Sequence, residues 1–402
     1  MKKGWQTKTI CDVCEFQRGL TYAKGDEVDV SDNVVLRATN IDLATNLLIF
    51  DELKYINDKV VVPESKKVKK GSLMICMASG SKSHLGKVAF IDDDYNHAFG
   101  GFMGMLTPLN GLLPKYLFHL MTSADYKDFI GALSDGANIN NLTFDKLKVF
   151  PVPVPPLAEQ QRIVGLLDEA FEGLATAKAN AEKNLQNPRA LFDSHLQSVF
   201  TQRGPGWVET TIGAEIKFID YRGKTPVKTT SGVRLITAKN VKMGFLQETP
   251  MEFIAAASYK GRMTRGIPQK GDVLFTTEAP LANVAQLDTD EKVAFAQRII
   301  IMQPNAARLG STFLKYLLLS QPVQQCIRIK GTGATVQGIK ASLLKLIEIS
   351  FPKSLATQEE IVSKLDSLRE ETQRLARLYE RKHAALEALK KSLLHQAFTG
   401  EL

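Results

Sequence analysis

The most regular pattern of apolar and polar positions lies near the C-terminal end. Ile361, Leu368, Leu375, Lys382 and Leu389 form one series seven residues apart, and Leu365, Thr372, Tyr379, Leu386 and Leu393 form a second. Two mostly apolar series interleaved in this way predict a helix that packs along a coiled-coil seam. Thr357 and Glu360 have the spacing of a capping box and predict its start. The same seam occurs earlier, through Ile163, Leu167, Ala170, Leu174, Ala177, Ala181 and Leu191. That stretch follows a proline-rich run, VPVPPLAEQQRIVGLLD from Val152, and Pro188 interrupts it where the later helix has Leu386. A kink or short break is predicted there, since proline removes a backbone donor and its ring meets the carbonyl one turn back.

The two helices are copies of each other. Leu157/Leu355, Ala158/Ala356, Gln160/Gln358, Ile163/Ile361, Val164/Val362, Leu167/Leu365 and Asp168/Asp366 pair at one constant offset of 198, and so do the closing phrases LFDSHLQSVFT and LKKSLLHQAFT. Agreement at both ends of so long an element makes the chain a tandem repeat of one large unit. Before the first helix, β-branched runs at residues 34–37, 60–62, 73–77 and 87–91 predict strands between Gly, Asp and Asn turns, and residues 113–130 predict a helix. The second copy repeats this plan. Gly4-Trp5 matches Gly206-Trp207, VLRATN matches RLITAKN, KKGSLMICMAS matches QKGDVLFTTEA, and PKYLFHL matches LKYLLLS. The frameworks agree and the loops differ, as on one scaffold carrying two readout surfaces.

The predicted fold is α+β. Two mixed, strand-rich globular domains, residues 1–153 and 204–353, are each followed by a helical region, residues 154–203 and 354–402. Two long antiparallel coiled-coil helices separate the domains in a pseudo-two-fold tandem repeat. About forty residues at 1.5 Å each give a rod of roughly 60 Å.

Composition changes this picture in one respect. The 44% apolar and 23% charged residues are those of an ordinary globular protein. With no apolar run of membrane-spanning length and a polar start, a cytoplasmic protein with no membrane partner is expected. The net charge of +8 is unevenly placed: residues 204–353 hold 20 Lys and Arg against 11 Asp and Glu, while residues 1–150 hold 18 of each. An excess confined to one globular domain points to a polyanion, nucleic acid first.

No catalytic constellation is visible. Cys11 and Cys14 form a C-x-x-C, but Cys76 and Cys326 are isolated, so two strand cysteines facing nearly the same way are expected, not a zinc site. Gly223-Lys224-Thr225 echoes a phosphate loop, yet Phe218 stands where its first glycine belongs. The chain has no Asn/Asp-Pro-Pro-aromatic tetrapeptide for holding a target amino group. Asp42 with Glu52-Leu53-Lys54 is too loose a set to read as a nuclease site, and the six histidines have no metal spacing. A binding protein is expected, with no cofactor and no metal of its own.

The run PVPVPPLAEQQRIVGLLD from Pro151, its partial second copy and the closing SLLHQAFTGEL resemble the DNA-specificity (S, HsdS-type) subunit of type I restriction–modification systems. So do RGLTY (18–22), SGSKSHLGK (79–87), DGANINN (135–141), YRGKTP (221–226) and GDVLFTTEAPLANVA (271–285). The resemblance spans essentially the whole chain. The second junction departs from it, since FPKSL lacks the double proline and Thr357 replaces the Glu. The resemblance implies two target-recognition domains, each reading half of a split site in double-stranded DNA. It also implies helical regions that set their separation and bind two methyltransferase (M) subunits, with restriction (R) subunits joining the complex. S-adenosylmethionine, ATP and magnesium would then belong to the partner subunits only.

Base readout needs hydrogen-bonding side chains on loops that enter a groove. In the first domain the candidates are Arg18, Thr21, Lys24, Ser79, Ser81, Lys82, Ser83, His84 and Lys87. In the second they are Arg222, Lys224, Thr225, Lys239, Asn240, Thr277, Glu278, Asn283, Gln297 and Arg298. The lysine run at 66, 67, 69 and 70 is expected to be a solvated turn. The other function class is a stand-alone sequence-specific DNA-binding protein. Ala158, Gly165, Ala175, Ala179, Ala384 and Ala385 lie outside the seam, where small apolar residues favour a second packing surface for partner helices.

Overall fold

In the computed structural model, residues 4–80, 84–134, 141–221, 225–333 and 337–402 are described. Two helices of 45 residues each, Leu157–Thr201 and Leu355–Thr399, are its longest elements. The chain divides into two compact units. The first holds residues 1–182 and 380–402, and the second holds residues 183–379.

The first unit is layered helix, sheet, sheet. Its central antiparallel sheet has the order Cys14–Arg18, Met103–Pro108, Leu73–Cys76, Val88–Phe90. Alternation along Leu73–Cys76 divides the core. Leu73 and Ile75 face helices Pro114–Leu120 and Ala124–Ser134, while Met74 and Cys76 face a second sheet. A strand covered on both faces reads as a continuous apolar run, as this one does. The second sheet has the order Glu27–Val28, Lys54–Ile56, Asn33–Leu36, Ala98–Phe99, its last pair parallel.

The second unit repeats these layers. Ile216–Asp220, Ile299–Pro304, Val273–Thr276 and Val284–Gln286 form its central sheet. Val273 and Phe275 face helix Ser311–Leu319, and Leu274 faces the sheet of Phe253–Ile254, Val233–Ile236 and Val293–Phe295.

A short strand pair launches each long helix. Pro151–Val154 lies antiparallel to Gln6–Thr9, and Glu348–Pro352 to Trp207–Thr211. Proline is tolerated on such an edge because the missing donor is not needed by a further strand. The buried Gln160 and Gln358 then fasten each helix to its domain. Gln160 Oε1 accepts the Leu113 N–H at 2.8 Å, and its Nε2 donates to Gly111 O and Pro155 O. Gln358 makes the same three bonds, from Gly310 N–H and to Arg308 O and Pro352 O. Two turns further on, Asp168 meets Lys115 and His119, and Asp366 meets Tyr316 and Lys315.

Within the first unit the two helix segments run antiparallel, as Lys178–Glu387 (2.8 Å) and Glu182–His383 (3.4 Å) show. Ile163, Leu167, Leu394, Ala397 and Phe398 join the core of this unit, and Leu196, Phe200 and Leu365 join that of the second. Each globular core therefore includes the closing turns of the other copy's helix.

Several expectations need correction. The first long helix runs through Pro188 without a break. Proline forfeits one bond of a long ladder, and here its ring is buried. The second helix begins at Leu355, so Thr357 lies inside it. Ser354 is the cap, its Oγ accepting the Thr357 N–H at 3.3 Å, and Glu360 pairs with Lys364 instead. Leu191 and Leu389 are exposed, and Leu196 and Leu394 take their place. A strict seven-residue repeat drifts around a 3.6-residue helix, and near the ends the globular core sets which face is covered. Residues 60–62 form no strand. The helix expected over 113–130 is two helices, parted at Met121–Ser123, where Ser123 Oγ accepts the Tyr126 N–H. Cys11 sits exposed in a helical turn and only Cys14 is a buried strand residue.

Candidate nucleic-acid interface

In both units the candidate loops emerge from one end of the central sheet. Arg18 ends its strand, Cys76 ends the next but one, and the neighbouring strands begin at Met103 and Val88. Residues 19–24, 77–80, 84–87 and 100–102 therefore share that end. In the second sheet the parallel pairing of Asn33–Leu36 with Ala98–Phe99, with Gly100 N–H donating to Leu36 O, brings residues 37–40 to it as well. The second unit reproduces the arrangement. Asp220, Thr276, Ile299 and Val284 bound the corresponding loops, and Ala296 N–H donates to Ile236 O beside the turn that carries Lys239. The topology thus gathers residues far apart in sequence onto one surface in each unit.

These loops are pinned at their bases. A Cβ on Gly19 would fall 1.9 Å from the Gly100 carbonyl oxygen, so the RGLTY motif needs glycine for a close backbone approach. Leu20 N–H donates to Phe99 O, and Lys66 Nζ donates to the Arg18 carbonyl at 2.8 Å. The lysine run is thus partly engaged, with Lys67 on Glu64 and Lys70 beside Asp93.

Arg18, Thr21 and Lys24 are exposed, with the Arg18 guanidinium 5.7 Å from the centre of the Phe144 ring. Ser79 and His84 are half-buried. Lys87 is buried, which holds its ammonium below the usual lysine range, and its Nζ lies 3.1 Å from Ile41 O and 3.0 Å from His84 Nδ1. It braces the loop from inside. Ser81, Lys82, Ser83, Arg222 and Lys224 lie outside the described residues, as does most of the 135–141 motif.

In the second unit Thr225, Lys239 and Arg298 are exposed, and Gln297 is half-buried. Arg298 Nε lies 2.9 Å from Glu278 Oε1, and its backbone has a positive φ of 83°, sparsely populated for a side chain of this size. Asn240, Thr277 and Asn283 point inward. Asn240 Oδ1 accepts from Thr237, and its Nδ2 donates to Gln247 O and Pro250 O. Thr277 Oγ1 donates to Arg298 O, and Asn283 Nδ2 to Val241 O. Asn40 in the first unit does what Asn240 does in the second: it accepts from Arg37 N–H and donates to Ile49 O and Glu52 O. The shared Asn of VLRATN and RLITAKN holds a turn in shape.

Three side chains at these surfaces were missed by reading the motifs. Arg37 lies at the first sheet end, inside a phrase that served only to align the copies. Arg265 reaches the Asp220 carbonyl at 2.6 Å, and its backbone N–H donates to Tyr221 Oη. It lines a cleft of about 310 Å³ with Tyr221, Pro226, Arg262 and Thr264. Phe102 is exposed in the Gly-Gly-Phe turn. Among the described residues no group of three or more His, Cys, Asp or Glu side chains could hold a metal ion, and no helix is long and apolar enough to cross a membrane.

Each unit thus presents a pinned loop surface on the same scaffold, and the two surfaces differ in the side chains they expose. The family model described as the type I restriction modification DNA specificity domain matches residues 2–185 and 222–380, and the chain belongs to this family. The EcoKI specificity subunit of Escherichia coli K12 is 26% identical over all of this chain and 90% of its own length. The StySPI specificity subunit of Salmonella potsdam gives the same figures. Among solved structures, a chain from a study of assembly and conformational transition in the type I restriction–modification system superposes with a TM-score of 0.81 at 19% identity, covering 100% of this chain and 99% of its own. The HsdS subunit of Thermoanaerobacter tengcongensis gives 0.64, also at 19% identity, with 100% and 98% covered. These likenesses concern the fold.

Proposed function

We propose that this chain is the DNA-reading subunit of a type I restriction–modification complex and carries no active site of its own. Each unit reads one half of a split site through the loops at the end of its central sheet. The observation that carries this reading is the match of framework and mismatch of surface between the units: Asn40 and Asn240 hold equivalent turns, while the exposed side chains around them differ. In the second unit Arg298 and Glu278 are paired across a donor and an acceptor, the groups that suit guanine and cytosine edges respectively. The exposed Ala158, Gly165, Ala175, Ala179, Ala384 and Ala385 would give close approach to helices of two methyltransferase subunits, and restriction subunits would join through these. S-adenosylmethionine, ATP and magnesium would be bound by those partners.

The test is a domain exchange. Residues 1–153 are replaced by the equivalent domain of a relative, and the modified-site motif of the assembled complex is sequenced. One half of the motif should change and the other remain. Simultaneous change in both halves would sink the assignment of one half-site to each unit.

A further inference from the structure

Phe102 and Arg298 occupy the same place on the repeated scaffold. Each immediately precedes the strand at the centre of its sheet, Met103–Pro108 or Ile299–Pro304. Each offers its carbonyl to the residue just beyond the neighbouring strand, Met77 N–H at 2.9 Å in one unit and Thr277 N–H at 2.9 Å in the other. The side chains are opposite in character. Arg298 is charged and paired with Glu278. Phe102 is 74% exposed, more than any other Phe, Tyr or Trp among the described residues.

A single apolar residue on a surface is ordinary and by itself calls for no function. Three further facts single this one out. Its backbone is fixed, because its carbonyl accepts a second bond from Ala78 N–H at 3.2 Å. The preceding Gly101 is packed on the RGLTY loop, where an added Cβ would sit 3.1 Å from Thr21 Oγ1. Phe102 also stands at the sheet end that carries Arg18 and Thr21. The ring is therefore carried outward from a fixed stretch of backbone, at the same sheet end as the exposed Arg18, Thr21 and Lys24. Pre-organisation of this kind lowers the ordering cost of binding.

A phenyl ring has no donor or acceptor with which to read a base edge. The apolar feature of the major groove is the C5 methyl of thymine, and phenylalanine is one of the side chains that suit it. We propose that Phe102 is a specificity-determining residue of the first unit, packing on a thymine methyl and so fixing one A·T pair in that half-site. The equivalent position in the second unit, with Arg298 and Glu278, fixes a pair by its polar edges instead. This inference rests on the sheet ends being the DNA-reading surfaces.

The experiment uses the full chain assembled with its methyltransferase subunits and a duplex carrying the motif found by modified-site sequencing. Each thymine of the first half-site is replaced singly by uracil, which removes only the methyl group. Affinities are compared for the unaltered chain, Phe102→Ala and Phe102→Leu at one salt concentration. One uracil duplex should bind the unaltered chain about fourfold more weakly, the equivalent of one buried methyl-sized group. Phe102→Ala should bind the thymine and uracil duplexes equally, and Phe102→Leu should keep part of the difference. The proposal is overturned by a half-site without an A·T pair, by indifference of the unaltered chain to every uracil, or by a methyl effect that persists in Phe102→Ala. A ring wedged between base pairs would lose affinity in Phe102→Ala without methyl sensitivity, and that result also overturns it. Base changes in the second half-site provide the control, since all three chains should respond to them alike. Indifference of the unaltered chain to changes in either half would instead count against the DNA-reading surfaces themselves.

Discussion

Replacing Gln160 by Ala should loosen the joint between the first globular domain and its long helix. The side chain is fully buried and makes three bonds of 2.8–2.9 Å, to Leu113 N, Gly111 O and Pro155 O. Alanine strands one buried donor and two buried acceptors. At about 1 kcal/mol net for each lost bond, the joint weakens by about 3 kcal/mol. That is a change of more than about a hundredfold in the local opening equilibrium. Hydrogen exchange of the full-length chain reads it directly, since the Leu113 amide and the first turns of the helix from Leu157 should lose protection together. Gln160→Glu keeps the shape but turns a donor into an oxygen facing two carbonyl oxygens, so it should be no better than alanine. Gln358→Ala is the internal control, because it should deprotect Gly310 and the start of the second helix and leave Leu113 untouched. Protection at Leu113 within about threefold of the unaltered chain would refute the idea that this glutamine fastens the helix.

Further outcomes are expected. His119 is held below the usual histidine range by burial, against the opposing pull of Asp168, so it stays neutral as the unfolded chain begins to protonate. Its contribution is present above the unfolded value near 6.5 and is lost as pH falls from there toward the folded value; in thermal unfolding between pH 7 and 5.5, His119→Gln should flatten the acid-side loss. Burial pushes the Asp168 carboxyl up, but its bonds with Lys115 and His119 outweigh this and leave it below the usual range, so its contribution disappears only at lower pH, as pH falls through that folded value. Arg298→Ala should cost about 1–3 kcal/mol at one base pair if Arg298 reads a base, whereas a phosphate contact would weaken all sequences alike; binding to a panel of single-base variants separates the two. The purified chain should neither methylate nor cut DNA, and adding the cognate methyltransferase should restore methylation. Methyl transfer by the rigorously isolated chain would contradict a role confined to recognition.

The repeat was legible because helix positions facing a core cannot vary freely. Ile163/Ile361 and Leu167/Leu365 share one offset since each pair packs against the same layer of its own unit. The strand runs at 73–77 and 273–276 were legible for the same reason, being covered on both faces. What a single pattern could not resolve was competition between local rules. Ser354 and Thr357 are both capping residues, and the strand ending at Pro352 decided in favour of the nearer one. Lys87, Asn240, Thr277 and Asn283 have the side chains of base readers, yet the same donors and acceptors serve to brace loops. Nothing in composition tells the two uses apart before the loops are placed. Phe102 escaped notice because readout was sought among polar side chains alone.

The sharing of helix ends has a consequence for how the chain comes into being. Phe398 packs edge-on to Tyr116 in the first unit, at a ring-centre distance of 5.2 Å. The core of the first unit is thus sealed by residues made only after the whole of the second unit. Until they arrive, Ile163, Leu167 and Tyr116 lack their covering side chains, and the nascent first unit displays an apolar face. Contacts this distant in sequence also form slowly, because a long loop must close before they are gained. The second unit has no such wait at its far end, since Leu196 and Phe200 are synthesised before the domain they complete. Synthesis therefore runs in the order that lets the second unit finish first, and a nick near residue 390 would injure the half of the molecule that was begun earliest.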